Sequence, residues 1–278
     1  MVGEKMLPQD RAFLTDFMHF GCYNHWVTQE SLFEQFNHHG YVLHKFNEER
    51  GLFEHQISKV HAAKIYAEFV AAIEDYTSFF YAITKKKNGI LYEYANSRSE
   101  GRDFSAFVQT TTSKTLSNIL GLPPLNKLRS NLNSDEYKSV RDMYKEIPKS
   151  LRRITKIYQP ADFSGLVKTD VPTPESDSFH VILDYTPSGH KPKNRFIDVS
   201  DLSLMTKMHN KIKHRFLVVD DIVSMWESIS DDDFPYAIVP YTTKWLKALM
   251  DFSSDMANDI ASLCKLILLL DDRNLFDT

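Results

Sequence analysis

Cysteine is nearly missing from this chain of 278 residues: Cys22 and Cys264 are the two present, and no C-x-x-C spacing exists. That scarcity argues against a disulfide framework and a cysteine zinc site, and it fits a reducing, cytoplasmic compartment. Long apolar runs are also missing. The longest, "LCKLILLL" near the C-terminus, is interrupted by Lys265 and falls far short of the roughly 20 residues a membrane helix needs. The opening "MVGEKMLPQD" holds no apolar h-region, so no secretory signal is expected. There is no Gly-rich phosphate loop, internal repeat or low-complexity tract, and no cofactor signature. What remains is the 42% apolar, 25% charged composition of an ordinary soluble globular protein.

Net charge is −4, which leaves no overall nucleic-acid footprint. The charge is unevenly spread, however. From Lys127 to Lys156 nine bases face four acids, and from Lys191 to Arg215 seven bases face Asp198 and Asp201. Acids gather afterwards, in "VDD", "DDD" and the "LDDRNLFDT" tail. Each basic run reads as a solvated helix face or as a local polyanion footprint.

The hydrophobic period predicts a mainly α-helical protein, a helical bundle with a small β-hairpin or mixed region in the C-terminal half. A helix is expected from Pro8 to Phe20, and a second one capped by Thr28 and stopped by Gly40. A third should run from Val42 to Ile57 and a longer one from Ser58 to Thr84, ended by "KKKNG". Asp103 to Leu120 reads as a helix closed by "GLPP", and Ser134 to Ile147 as one capped by Ser134 and halted at Pro148. "FHVILDY", "RFIDV" and "RFLVV" have strand character, with "PSGHKPKN" as a turn between the first two. Thr242 to Leu270 should form a long closing helix. The aperiodic stretch after Gln159 suggests a helical region over 1–158, a connection over 159–178 and a smaller mixed region over 179–278, or one continuous domain.

One segment stands apart, "LMTKMHNKIKHRFLVV" from Leu204 to Val219. On a helical wheel Leu204, Met205, Met208 and Ile212 share an apolar arc, while Asn210, His214, Lys207 and Lys211 take the opposite face. Asn210 and His214, four apart, are neighbours there. His209 lies beside the apolar arc, about 140° from His214. An imidazole near neutral pKa, an amide and two ammonium groups on one face suit phosphodiester chemistry. The same residues also read as a plain solvated face. One helix carries too few groups for an acid–base pair, so a second copy or another element would have to complete such a site.

"HNKIKH" resembles the signature of the HEPN superfamily, helical nucleotide-binding and ribonuclease domains of bacterial defence and toxin systems. That signature is an Arg, commonly followed by Asn, with a His after four to six intervening positions. Asn210 and His214 match it, and His209 stands where the family has Arg. The resemblance implies metal-independent RNA cleavage by a homodimer, with His214 as acid or base and Asn210 orienting. Lys207, Lys211, Lys213 and Arg215 would bind substrate, with Arg215 or Lys213 partly replacing the missing guanidinium. A non-catalytic helical interaction protein is the alternative.

A rival constellation lies near the N-terminus. His19, His25, His38, His39, His44, His55 and His61 are interleaved with Glu30, Glu34 and Glu68. Glu34 with His38 and His61 with Glu68 share helix faces, as a metal site in a bundle requires. The Glu-x-x-His pairs of di-iron bundles are absent, and ordinary core or surface histidines explain the same residues. Aromatic clusters such as Phe79-Phe80-Tyr81 and "YEY" suggest a thick core or an apolar pocket.

Overall fold

The computed structural model describes residues 6–43, 48–86, 88–96, 116–158, 178–182, 196–198, 218–219, 236–240 and 243–276. These residues are mainly α-helical. The helices are α1 (Pro8–His19), α2 (Asn24–Leu43), α3 (Glu48–Lys85), α4 (Ile90–Asn96), α5 (Leu116–Leu120), α6 (Leu125–Leu128), α7 (Ser134–Tyr158) and α8 (Thr243–Asp272), with four short strands before α8. Among the described residues no helix is long and apolar enough to cross a membrane.

The chain divides into two compact units. One comprises Met1–Asn24, Ala72–Tyr158 and Ser254–Thr278; the other comprises His25–Ala71 and Gln159–Ser253. In the first unit the aromatic clusters form core. Phe17 stacks on Phe79 with centroids 4.8 Å apart, and Phe13 and Tyr94 pack against the same pair. Phe79, Phe80, Leu14 and Ile83 are fully buried. The Tyr94 hydroxyl donates to Asp75, and burial pushes that phenol well above its usual range. Buried Asp271 accepts from the Met6 backbone N–H (3.1 Å) and from Arg11 (2.9 Å), which also bonds Asp272 (2.6 Å). Asp10 accepts from the Leu91 N–H at 2.9 Å, satisfying one free donor at the start of α4. Gly89 (φ +103°) makes the turn ahead of it, where an added Cβ would lie 3.0 Å from Asp10 Oδ2.

The second unit buries Ile65, Tyr66, Phe69 and Val70 of α3 with Leu246, Leu249 and Met250 of α8, and Phe69 meets Phe252 edge-on at 5.6 Å. It also holds a sheet of β1 (Ser178–Ile182), β2 (Phe196–Asp198), β3 (Val218–Val219) and β4 (Tyr236–Pro240), in the order β2-β4-β1-β3. β1 pairs antiparallel with β3 and β4, and β2 runs parallel to β4. The first two strands are therefore not each other's hairpin partners, because β4 lies between them.

Several helix boundaries differ from those the sequence predicts. The 3₁₀ turn Gly21–Tyr23 feeds straight into α2, with Asn24 already helical, so Thr28 sits inside the helix and not at its start. α2 runs on through Gly40 to Leu43, accepting a helix-propensity cost of about 1 kcal/mol. The two helices expected between Val42 and Thr84 are one, α3, and the apolar stripe of its later half is buried except at Val60. α7 likewise passes through Pro148, which removes one helical bond; buried Ile147 and Pro148 hold the helix together there. Of the helix expected over 103–120, Leu116–Leu120 is described and 97–115 lies outside the described residues. The connection expected from 159 also lies outside them as far as 177.

Candidate functional site

α7 carries four bases of the first basic run on one side. It opens on a capping box built by Asn133, not by Ser134. The Asn133 side-chain oxygen accepts from the Asp135 and Glu136 N–H groups (3.1 and 2.9 Å), and Glu136 reaches back to the Asn133 N–H at 3.1 Å. Glu136 also bonds Arg273, which holds its carboxyl below the usual range. From that fixed start Lys138, Arg141, Lys145 and Lys149 follow at intervals of three and four residues. All are exposed and lie within an arc of about 80°. Val140 and Ile147 are buried on the other side, and Tyr144 donates to the Pro123 carbonyl at 2.6 Å. Burial keeps the Tyr144 phenol well above its usual pKa.

Acids neutralise part of this face. Lys149 bonds Glu146 at 2.7 Å, and Arg141 lies 3.6 Å from Asp142. Lys138 and Lys145 have no ion-pair partner among the described residues, and Lys127 and Arg129 are exposed just ahead of the helix. The described face therefore spans about 17 Å from Lys138 to Lys149 at 1.5 Å per residue. Closely spaced cations with few counter-charges would release condensed ions on meeting a polyanion.

The N-terminal histidines resolve differently. The stretches His25–Leu43 and Glu48–Glu68 are about 27 and 30 Å long, and their far ends meet, so α2 and α3 run antiparallel here. The contact is His25 Nδ1 to Glu68 Oε1 at 2.6 Å, with side chains 19% and 27% exposed. Glu68 thus pairs with His25 across the two helices. The grouping with His61 on its own helix does not describe this contact, and His61 is itself buried. His19, His38 and Glu34 are exposed. Among the described residues no group of three or more His, Cys, Asp or Glu side chains is arranged to hold a metal ion. One turn along α2 from His25, Gln29 is fully buried, and among the described residues neither its amide nitrogen nor its carbonyl oxygen has a hydrogen-bond partner.

Cys22 and Cys264 are free, buried thiols. Burial pushes Cys22 up to about 12 and Cys264 well above its usual value, so neither is a nucleophile near neutral pH.

His209, Asn210, His214, Lys207, Lys211, Lys213 and Arg215 lie outside the described residues. The run from Lys127 to Lys156 was visible in the sequence, and the structure puts four of its bases, Lys138, Arg141, Lys145 and Lys149, on one face of α7. The His25–Glu68 pair had only the histidine-rich composition to announce it, because its 43-residue separation requires the register of the two helices. No family model, no curated protein and no solved structure matches the chain.

Proposed function

We propose that the protein binds RNA and cleaves it without a metal, as a HEPN-like homodimer. The observation that carries the binding half is the exposed basic face of α7, with Lys138 and Lys145 unpaired among the described residues. The cleavage half rests on the resemblance of the His209–His214 segment. His214 acts there as acid or base, Asn210 orients, His209 takes the arginine position, and Lys207, Lys211, Lys213 and Arg215 hold phosphate. RNA is favoured over other polyanions because the helix face and that segment both suit a phosphodiester chain.

The binding test is fluorescence anisotropy with a labelled single-stranded RNA over a salt series. Each phosphate contact contributes about −0.7 to the slope of log K against log salt for single strands. K138Q/K145Q should therefore flatten the slope by about 1.4 and weaken binding roughly tenfold at 0.15 M salt. K244Q/K247Q, which removes two exposed lysines from α8, should change neither. Equal losses in both double mutants would refute the interface, as would the absence of wild-type binding. H214A should abolish cleavage while the protein stays folded. Undiminished cleavage by the pure variant would remove the nuclease reading.

A further inference from the structure

The four cations of α7 make a row whose spacing is set before any ligand arrives. Lys138, Arg141, Lys145 and Lys149 are exposed, and successive members lie about 4.5, 6 and 6 Å apart along the helix axis. The helix beneath them is fastened at several points. Its start is held by the Asn133 box and by the Glu136–Arg273 ion pair. Val140 and Ile147 are buried on the side away from the row, and the Tyr144 hydroxyl donates to the Pro123 carbonyl. Asp142 and Glu146 border one edge of the row, so an anion is admitted along a single line.

The tyrosines of this stretch stand off that line. Tyr137 and Tyr144 sit about 40° and 60° beyond the edge at Arg141, and Tyr144 is tied down by its own bond. Proteins that hold single strands combine charge with aromatic side chains on which the bases stack. The row itself offers charge alone. Affinity then comes from counterion release, which favours the polymer whose phosphates are packed most densely. A double helix is also stiff and follows a fixed row as it stands, whereas a single strand loses chain entropy in doing so. A membrane surface fits less well, because an interfacial helix buries apolar side chains among the lipids, and Val140 and Ile147 face the protein core.

We propose that the α7 face is a docking surface for double-helical RNA, gripping the phosphates of one strand and leaving the bases unread. This deepens the RNA-binding half of the proposed function and rests on it; the cleavage step stays with His214. The chemistry recognised is a stiff, phosphate-lined double helix, so a DNA duplex is the other source to be distinguished. Each contact adds about 0.9 to the salt slope on a B-form duplex and about 0.7 on a single strand. Over four contacts that difference makes the duplex about fivefold tighter at 0.15 M salt and about tenfold tighter at 0.05 M, and the ordering of the single strand widens the gap. Removing two of the contacts roughly halves the preference at 0.15 M.

The test is fluorescence anisotropy on the full-length protein over a salt series. The probes are one labelled RNA strand, free or annealed to its complement, a DNA duplex of the same sequence, and vesicles of phosphatidylserine and phosphatidylcholine. Wild type should bind the RNA duplex at least about fivefold tighter than the single strand at 0.15 M salt. A second RNA duplex of scrambled sequence should bind within about twofold of the first, because phosphate contacts carry no sequence information. K138Q/K145Q should flatten the duplex slope by about 1.8 and cut the duplex preference by about half. Both lysines are exposed, so this variant should melt as wild type does.

A single strand bound as tightly as its duplex would overturn the duplex assignment and leave RNA binding standing. A duplex preference that K138Q/K145Q leaves unchanged would put the double helix elsewhere on the protein and overturn it too. Vesicles bound more tightly than the RNA duplex, and lost in K138Q/K145Q, would make the face a membrane surface instead. A DNA duplex bound more tightly than the RNA duplex would overturn RNA as the ligand. Absence of binding to either form of RNA would remove this inference and the proposed function together.

Discussion

Gln29→Met is the most direct probe of the buried amide. The replacement keeps an unbranched side chain of similar volume and removes the two polar atoms that have no partner, so packing changes little while a desolvation penalty disappears. The expected gain is about 1–3 kcal/mol. At roughly 2–4 °C per kcal/mol for domains of 150–250 residues, a gain of about 2 kcal/mol raises Tm by roughly 4–8 °C. Thermal melting followed by far-ultraviolet circular dichroism reads this directly, with wild type and variant in the same buffer. Gln29→Ala is the control. It removes the same polar atoms but opens a cavity, so relief and cavity cost should roughly cancel. A Q29M protein less stable than wild type would show that the amide is bonded.

Two further outcomes test the fold. Asn133→Ala should destabilise the protein by about 1 kcal/mol, whereas Ser134→Ala should stay within about 0.5 kcal/mol, both read from urea unfolding; equal effects would contradict the capping assignment. The thiols of Cys22 and Cys264 should react with a chromogenic disulfide at pH 8 only as the protein unfolds, and rapid stoichiometric modification of native protein would contradict their burial. The same raised pKa gives a signed pH dependence. Folded Cys22 stays protonated up to about 12 while an unfolded thiol ionises from 9.0, so its contribution to stability is intact below 9.0 and is lost as pH climbs from there toward 12.

Most helices were legible because burial follows period. Phe69, Ile73, Tyr76 and Phe80 recur at helical spacing and are buried, and the closing helix was placed to within two residues at its C-terminal end. Boundaries failed where tertiary packing overruled a local signal. Gly40 and Pro148 are stop signals in isolation, yet both lie inside helices. At α7 the cap sits one residue ahead of the serine that the sequence favoured, since asparagine caps equally well and Glu136 is correctly spaced to complete a box with Asn133. The basic face needed only the 3.6-residue period and was within reach of the sequence. The His25–Glu68 pair depends on how two helices lie against each other, and Gln29's lack of a partner is a property of its surroundings; neither is encoded in spacing along one segment.

The bond between the Met6 N–H and Asp271 joins residues 265 apart, and it also fixes an order of events in time. At a synthesis rate of about 5–20 residues per second, roughly 13 to 53 seconds separate the emergence of its two halves from the ribosome. The unit to which both belong draws on the first, middle and last parts of the chain. Phe17 and Phe79 can meet long before that, but Asp271 can accept its bonds only once α8 has been made. Completion of this unit therefore waits on α8, and a nascent chain stalled within α8 would carry α1 without these bonds.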